Sequence, residues 1–574
     1  MAIPRLRPSE LAERVSDEVE LYHRTYSTLL RSSGETLLRV LEPSHRAMES
    51  SLHKGAASDE LDLGAFLYAT HRLPADIWRA RLITMGQEAT AFARAGFGDL
   101  REWDEVEAPA RRRRWHRRDD GMYGVLIASS SDLDDLLPTL VAFQIEWNKL
   151  NRRVAAVDPV QDARPSWCAQ SFGGSEDDWD RIGEAWGGDL DAFLYEVRAN
   201  ELDLRIRMLN SSEVGYGRVT REWWEPILRC LREQGLANRR LYLVSSNTHS
   251  LVNLVTASGR VHEDEIVAWV AEHGPHYLRS ELEKFRTGRT KGSWDNFLYY
   301  SSRLFYAEQP LDGPLWEERR ARERELGVTH IPSTTAVRVD AQVIDPARLD
   351  PAMLDPRLAD IDAAALRDFG GVIVNIDYPL GVGAYNILRE IGESTDTLRG
   401  VYVLGKAATL NAEVGDVLIS NVIHDEHSGS TYWLDNAFSF DDIQPFLLFG
   451  SGLDNQRAVT VKSTFLQNRQ YLDFYYREAF TVVEMEAGPF CNAVYEIADL
   501  DRYPVGESVN FAKLPIDFGV IHYASDTPYT QARTLGARGL SYFGLDSTYA
   551  SSLAILRRIM TLERALPAAD QRMG

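Results

Sequence analysis

Apolar positions along this chain repeat with two periods, and each predicts a different element. Leu11, Val15, Val19, Tyr22 and Tyr26 fall at helical spacing behind Ser9, a capping residue after Pro8, and residues 9–100 read as largely helical. Tyr123–Leu133 and Arg240–Leu251 share another pattern: an apolar strand, a hydroxylated turn, then a helix. A helix start offers unpaired amide donors, so either turn could hold a phosphate or carboxylate, or simply cap its helix. His249, in the second turn, is open to two readings, a catalytic base or a cap. Trp167, Trp179, Trp186, Trp223 and Trp224, set among glycines and capping residues, read as core packing rather than a base-stacking surface. Residues 1–307 are therefore expected to form one mostly helical α/β domain.

Prolines then punctuate the chain. Gln309-Pro310 and Gly313-Pro314 precede a charged helix, and Asp345-Pro346, Asp350-Pro351 and Asp355-Pro356 recur every five residues. Proline disfavours helix in the residue before it, so residues 308–367 are expected to be a linker of short turns. Beyond it, strands alternate with helical patterns up to residue 565, which predicts an α/β sheet covered by helices on both faces, followed by a tail at 566–574.

Composition narrows the classes. A chain of 574 residues accommodates two or three domains, and a net charge of −22 disfavours nonspecific contact with nucleic acid or anionic membranes. Arg111–Arg118 is the one strongly basic run and reads as a solvated face ahead of a phosphate-binding patch. Cys168, Cys230 and Cys491 are far apart and lack metal-ligand spacing. His424-Asp425-Glu426-His427 has adjacent residues that point to opposite faces of an extended chain, which spoils chelation. No metal, no cofactor and no membrane partner are expected, and the N-terminus lacks the apolar core of a signal peptide, so a cytoplasmic protein is expected.

The most informative stretch is Thr481-Val-Val-Glu484-Met485-Glu486-Ala487, where two carboxylates interrupt an apolar strand. Burying a carboxylate costs several kcal/mol unless donors meet it, and the vicinal hydroxyls of a sugar are two well-spaced donors. An edge strand with two solvated glutamates is the alternative.

Around it stand three more landmarks: Gly371–Ala384, an apolar strand into a Gly-x-Gly turn; Gly400–Ile419, a strand, the small-residue loop Gly405-Lys406-Ala407-Ala408, and a second strand opening at Gly415-Asp416; and Phe518–Thr527, a strand ending in Ser525-Asp526. In this order they resemble the nucleoside phosphorylase and nucleosidase superfamily over roughly residues 368–565. The resemblance implies a mixed, distorted barrel-like sheet with the active site at strand ends, purine nucleoside or nucleotide as substrate, and a homo-oligomer. It implies that Glu486 accepts hydrogen bonds from the ribose hydroxyls, that Met485 packs beneath the sugar, and that Glu484 binds the same hydroxyls or supports them. It further implies Asp526 as general acid toward the base, unless it caps the next helix, Phe465 as the aromatic that stacks on the base, and Gly405, Lys406 and Ala407 as the substrate loop.

The departures bear on mechanism. Val403 stands where the family's phosphorylases carry a phosphate-binding arginine, which favours hydrolysis. Lys406 replaces a hydroxyl, so it either grips a phosphate or fills the pocket. No counterpart of the family's first strand stands between residues 328 and 367, which leaves activation of the nucleophile unassigned. Three functions stay open: a nucleosidase, a phosphorylase using phosphate bound by Lys406 or by arginines of the other domain, and a sensor that binds without turnover.

Overall fold

A computed structural model describes residues 8–31, 34–157, 163–210, 212–498, 505–511, 514–526 and 542–565. The expected tail lies outside the described residues, as do the side chains of residues 8–17, Arg112, Asp526, Tyr542 and Phe543.

Six strands, β1 (Thr36–Leu37), β2 (Leu82–Gly86), β3 (Asp104–Ala108), β4 (Arg111–Arg118), β5 (Met122–Leu126) and β6 (Arg205–Met208), form a first sheet in the order β1-β6-β2-β5-β4-β3. The central β2 is parallel to both neighbours and buried along its whole length, as its unbroken run Leu-Ile-Thr-Met-Gly dictates. The long helix Ser130–Ala155 covers this sheet, capped by Ser129 and Asp132 in a reciprocal box. The basic run is therefore β4, a strand inside a sheet. Alternation turns Arg111, Arg113 and the fully buried Trp115 to one side of it.

The second sheet has eleven strands: β7 (Arg240–Ser245), β8 (Val328–Ile331), β9 (Ala341–Ile344), β10 (Gly371–Ile376), β11 (Leu398–Thr409), β12 (Val417–Asp425), β13 (Thr431–Trp433), β14 (Gly452–Thr460), β15 (Val482–Glu484), β16 (Ser508–Asn510) and β17 (Asp517–Asp526). Five of them close into a ring. Strand β11 pairs with β17, β17 with β12, β12 with β14, β14 with β15, and β15 returns to β11. Parallel and antiparallel pairs mix in it, so the expected α/β class with a mixed, barrel-like sheet is what the chain forms. From β11 the sheet continues outward through β7, β10, β9 and β8.

Two expected boundaries shift. Strand β7 lies between β10 and β11, parallel to both, so the chain from residue 240 belongs with the C-terminal sheet and the division at 307 does not hold. The preceding helix, Glu213–Glu233, goes with it: Trp223 Nε1 donates to Val339 O at 2.7 Å and Trp224 Nε1 to Ser394 Oγ at 2.7 Å. Residues 308–367 are not a linker either, since β8 and β9 extend the sheet. The three Asp-Pro steps do make short turns, each aspartate accepting from the amide two residues on, and buried Asp355 also accepts from Tyr299 Oη at 2.8 Å. Gly405 to Ala408 form part of β11 rather than a loop, because β17 pairs along this stretch, with one register shift between Ala407 and Ala408.

Candidate functional site

Strands β7, β10, β11 and β17 run parallel, and their C-terminal ends open on one cavity of about 470 Å³. Ligands of open α/β sheets collect at this edge, and the volume suits a molecule of nucleoside size. The second sheet lines it with Asn247, Thr248 and His249 after β7, Asp377 and Tyr378 after β10, Lys406 to Ala408 on β11, Glu484 to Glu486 after β15, and Tyr523 and Ser525 on β17. The other side is closed by Arg111 and Arg113 of β4 and by Ser129 and Asp132 at the start of the long helix, joined by Tyr68 and Arg72. Ala336 to Val339, from the segment expected to be linker, complete a wall.

The two glutamates have different surroundings. Glu484 is almost wholly buried, and its Oε2 accepts from the backbone amides of Glu486 at 2.6 Å and Ala487 at 2.8 Å. It thus caps the helix Ala487–Ala498, whose first amides point at its charge. Its Oε1 accepts from Thr460 Oγ1, and Thr460 Oγ1 in turn accepts from the amide of Gly488 at 2.7 Å. Only glycine fits at 488, because a Cβ would meet Asp425 Cβ at 2.6 Å and Thr460 Oγ1 at 2.7 Å. Glu486 is half-buried and lines the cavity, and its carboxyl meets the backbone amide of Met485 but no side-chain hydrogen-bond donor among the described residues. Burial and the nearby charge of Glu484 push its pKa up to about 8, against the opposing pull of Arg111, the Met485 amide and Lys406. Met485, also half-buried, lines the cavity and packs against the apolar cluster that includes Ala408, Val461 and Val483.

Of the other expected residues, Lys406 and Ala407 line the cavity, Lys406 with an exposed side chain. Gly405 does not line it; it faces the ring of His522 on β17, where a Cβ would stand 3.3 Å from Cδ2. Phe465 does not line it either. Its ring is buried with Leu52, Tyr68 and Ala142, edge-on to Tyr68 at 5.2 Å between centroids, so the expected stacking on a base does not fit its position. Asp526 closes β17 opposite Ala408, and its side chain lies outside the described residues.

Several cavity residues carried little signal in the sequence. His249 stands at the start of the helix Ser250–Thr256 but makes no cap bond; Asn247 Oδ1 takes that place, accepting from the amide of Ser250 at 2.6 Å. The imidazole is held neutral by burial and by Arg303 and Arg319, its pKa down to about 3, and its Nδ1 has no partner among the described residues. The arginines of β4 are held by the covering helix: Arg111 is bidentate to Asp135 at 3.0 and 2.9 Å, and Arg113 bonds Asp132 at 2.9 Å and Asp135 at 2.6 Å. Period-two alternation was the available signal, since it puts every second arginine of the run on one face.

The two sheets are tied beside the cavity. Asp425 accepts from His427 Nδ1 at 2.8 Å, and His427 Nε2 stands 3.3 Å from Ser131 Oγ on the long helix. Ser131 is fully buried and accepts from the amide of Val382 at 2.9 Å, so this Ser-His-Asp series is a clasp, closed to substrate. His424 bonds Thr431, on the other face of β12.

Among solved structures, the chain is similar to the 5′-methylthioadenosine/S-adenosylhomocysteine nucleosidase of S. pneumoniae, with 14% identity over 42% of this chain and 92% of that one and a TM-score of 0.27. It is also similar to the methylthioadenosine phosphorylase of Schistosoma mansoni, with 10% identity over 36% of this chain and 81% of that one and a TM-score of 0.26. No curated protein matches it. Residues 38–561 match DUF6909, described as a family of unknown function, and the chain belongs to that family.

Proposed function

We propose that this cavity binds a purine nucleoside or nucleotide and cleaves its N-glycosidic bond, with water favoured over phosphate as nucleophile. The observation that carries the reading is the carboxyl of Glu486: half-buried, lining the cavity, met by no side-chain hydrogen-bond donor among the described residues, and next to a methionine. A furanose diol supplies two further donors to this group from the cavity side.

As the base departs, the ribose gains positive charge and the base gains electrons. Glu486 would hold the diol, whose donated hydrogen bonds favour its ionised form, and so offset that charge, while Met485 lays a polarisable thioether under the ring. Glu484 supports from behind, its oxygens taken by Thr460 and the helix start. Asp526, at the end of β17, is proposed to protonate the base and to regain a proton, by way of solvent, from the water that adds to the sugar. His249 is too weakly basic to take a proton readily, yet its ring nitrogens suit it to orient a water toward a carbon whose bond to the leaving group is already largely broken. Strand β7 with its Asn247–His249 turn would then supply the opening strand of the resembled pattern. Val403 in place of the phosphorylase arginine supports hydrolysis.

Chromatography of a panel of nucleosides and their 5′-monophosphates, incubated with and without inorganic phosphate, tests this. The expected result is free base released in phosphate-free buffer, slowed about 100-fold or more in Glu486→Gln and in Asp526→Asn. Release that ignores both substitutions would refute the site; binding without release would leave a sensor.

A further inference from the structure

The cavity carries a charge opposite to that of the chain. Arg72, Arg111, Arg113, Arg303, Arg338 and Lys406 line it against the carboxylates Asp132, Asp377, Glu484 and Glu486, although the whole protein has a net charge of −22. Like charge would otherwise repel an anionic ligand, so a cationic cavity in an acidic protein concentrates anions where the wall is lined.

The cations also have a built arrangement. Asp135 is fully buried and holds the Nε and Nη2 of Arg111 in a bidentate pair, and it accepts Nη2 of Arg113 as well. Arg72 adds its charge to the same carboxylate and lies over the Tyr68 ring, 3.4 Å from the centroid. Three guanidinium groups thus meet the two carboxylates Asp132 and Asp135, leaving one positive charge in surplus. That surplus falls on Arg111. Its side chain is 23% exposed against 3% for Arg113, and its Nη1 has no hydrogen-bond partner among the described residues. A guanidinium locked along one edge presents the other edge in a fixed direction, the geometry that suits phosphate oxygens. Arg111 also lies close enough to Glu486 for each to feel the other's charge, yet no ion pair joins them.

We infer that Arg111, oriented by Asp135 and flanked by Arg72 and Arg113, forms a phosphate subsite beside the sugar position, so that the ligand is a phosphorylated nucleoside. This rests on the proposed role of Glu486. If Glu486 takes the 2′ and 3′ hydroxyls, the 5′ oxygen is the one left on the sugar to carry an ester, and the ligand is a nucleoside 5′-monophosphate. The same chemistry would also accept inorganic phosphate beside an unphosphorylated nucleoside, and the two sources are separable.

The test is calorimetric binding to the full chain of a purine-like C-nucleoside, whose carbon–carbon link cannot be hydrolysed, and of its 5′-monophosphate. The monophosphate is expected to bind about 100-fold more tightly, as two charge-assisted hydrogen bonds allow. Arg111→Gln should reduce that preference at least tenfold, Arg111→Lys should restore part of it, and Arg118→Gln, on the other face of β4 and paired with Asp120, should leave it intact. Thermal melting of each variant establishes that it is folded. No preference for the monophosphate, but tighter nucleoside binding in the presence of inorganic phosphate that is lost in Arg111→Gln, would assign the subsite to free phosphate. Equal affinities for both ligands with no effect of phosphate would overturn it. Because the probe cannot be cleaved, a monophosphate preference that depends on Arg111 stands even if no base is released from true nucleosides, whereas base release indifferent to the 5′-phosphate and to Arg111 removes this subsite alone.

Discussion

A carboxyl group held at about 8 is mostly protonated at neutral pH, which makes Glu486 a source of pH-dependent stability. Its folded pKa lies above the ordinary value of 4.5, so between the two the folded chain keeps a proton that the unfolded chain has lost. Stability from this group is therefore fully present below about pH 4.5 and falls as the pH rises through 8, by at most about 1.4 kcal/mol per unit. Glu486→Gln should remove that slope: the gap in thermal stability between variant and wild type should widen in the variant's favour from pH 6 to pH 9. A constant gap across that range would mean the carboxyl is not held in its neutral form. At this scale the sequence was legible where a residue broke its local pattern. Glu486 stood out because a charge interrupts an apolar strand. Arg111 did not, since a run of arginines looks the same whether it is solvated or held by a carboxylate 24 residues on. Phe465 followed only from the family resemblance, and its ring packs instead against Tyr68 of the helix Leu63–Thr70.

Among elements, β7 carries the largest consequence. Arg240–Ser245 reads plainly as a strand, but its partners β10 and β11 lie more than 120 residues further along, and parallel pairing across such a gap leaves no local mark. The Asp-Pro turns were legible for the opposite reason, because each is closed within a few residues by its own aspartate. The small-residue stretch Gly405–Ala408 resembled a loop in composition; pairing with β17 makes it strand. Removing β7 would strip one edge of β10 and β11 of its hydrogen bonds and uncover Val372, Val374 and Val401, all buried. A fragment of residues 368–565 should accordingly show no cooperative unfolding in urea, while one that begins at residue 238 should regain it. A cooperative transition in the shorter fragment would contradict the strand order.

Over the whole molecule, the two sheets meet on the cavity, and each brings one part of its chemistry. The barrel-like sheet contributes the glutamates, the methionine and His249; the first sheet contributes the arginines, held in relation to them by the clasp from Asp425 through His427 to Ser131. The class of the C-terminal sheet could be read from four landmarks in order, but the share of the first sheet in the site could not, since the contact between sheets exists only in the folded chain. The central claim is that a sugar diol satisfies Glu486. Calorimetric titration of the full chain with a purine ribonucleoside and with its 2′,3′-dideoxy counterpart tests it most directly. The account predicts that wild type favours the ribonucleoside by about 100-fold and that Glu486→Gln brings the ratio close to one; equal affinities in wild type would contradict it.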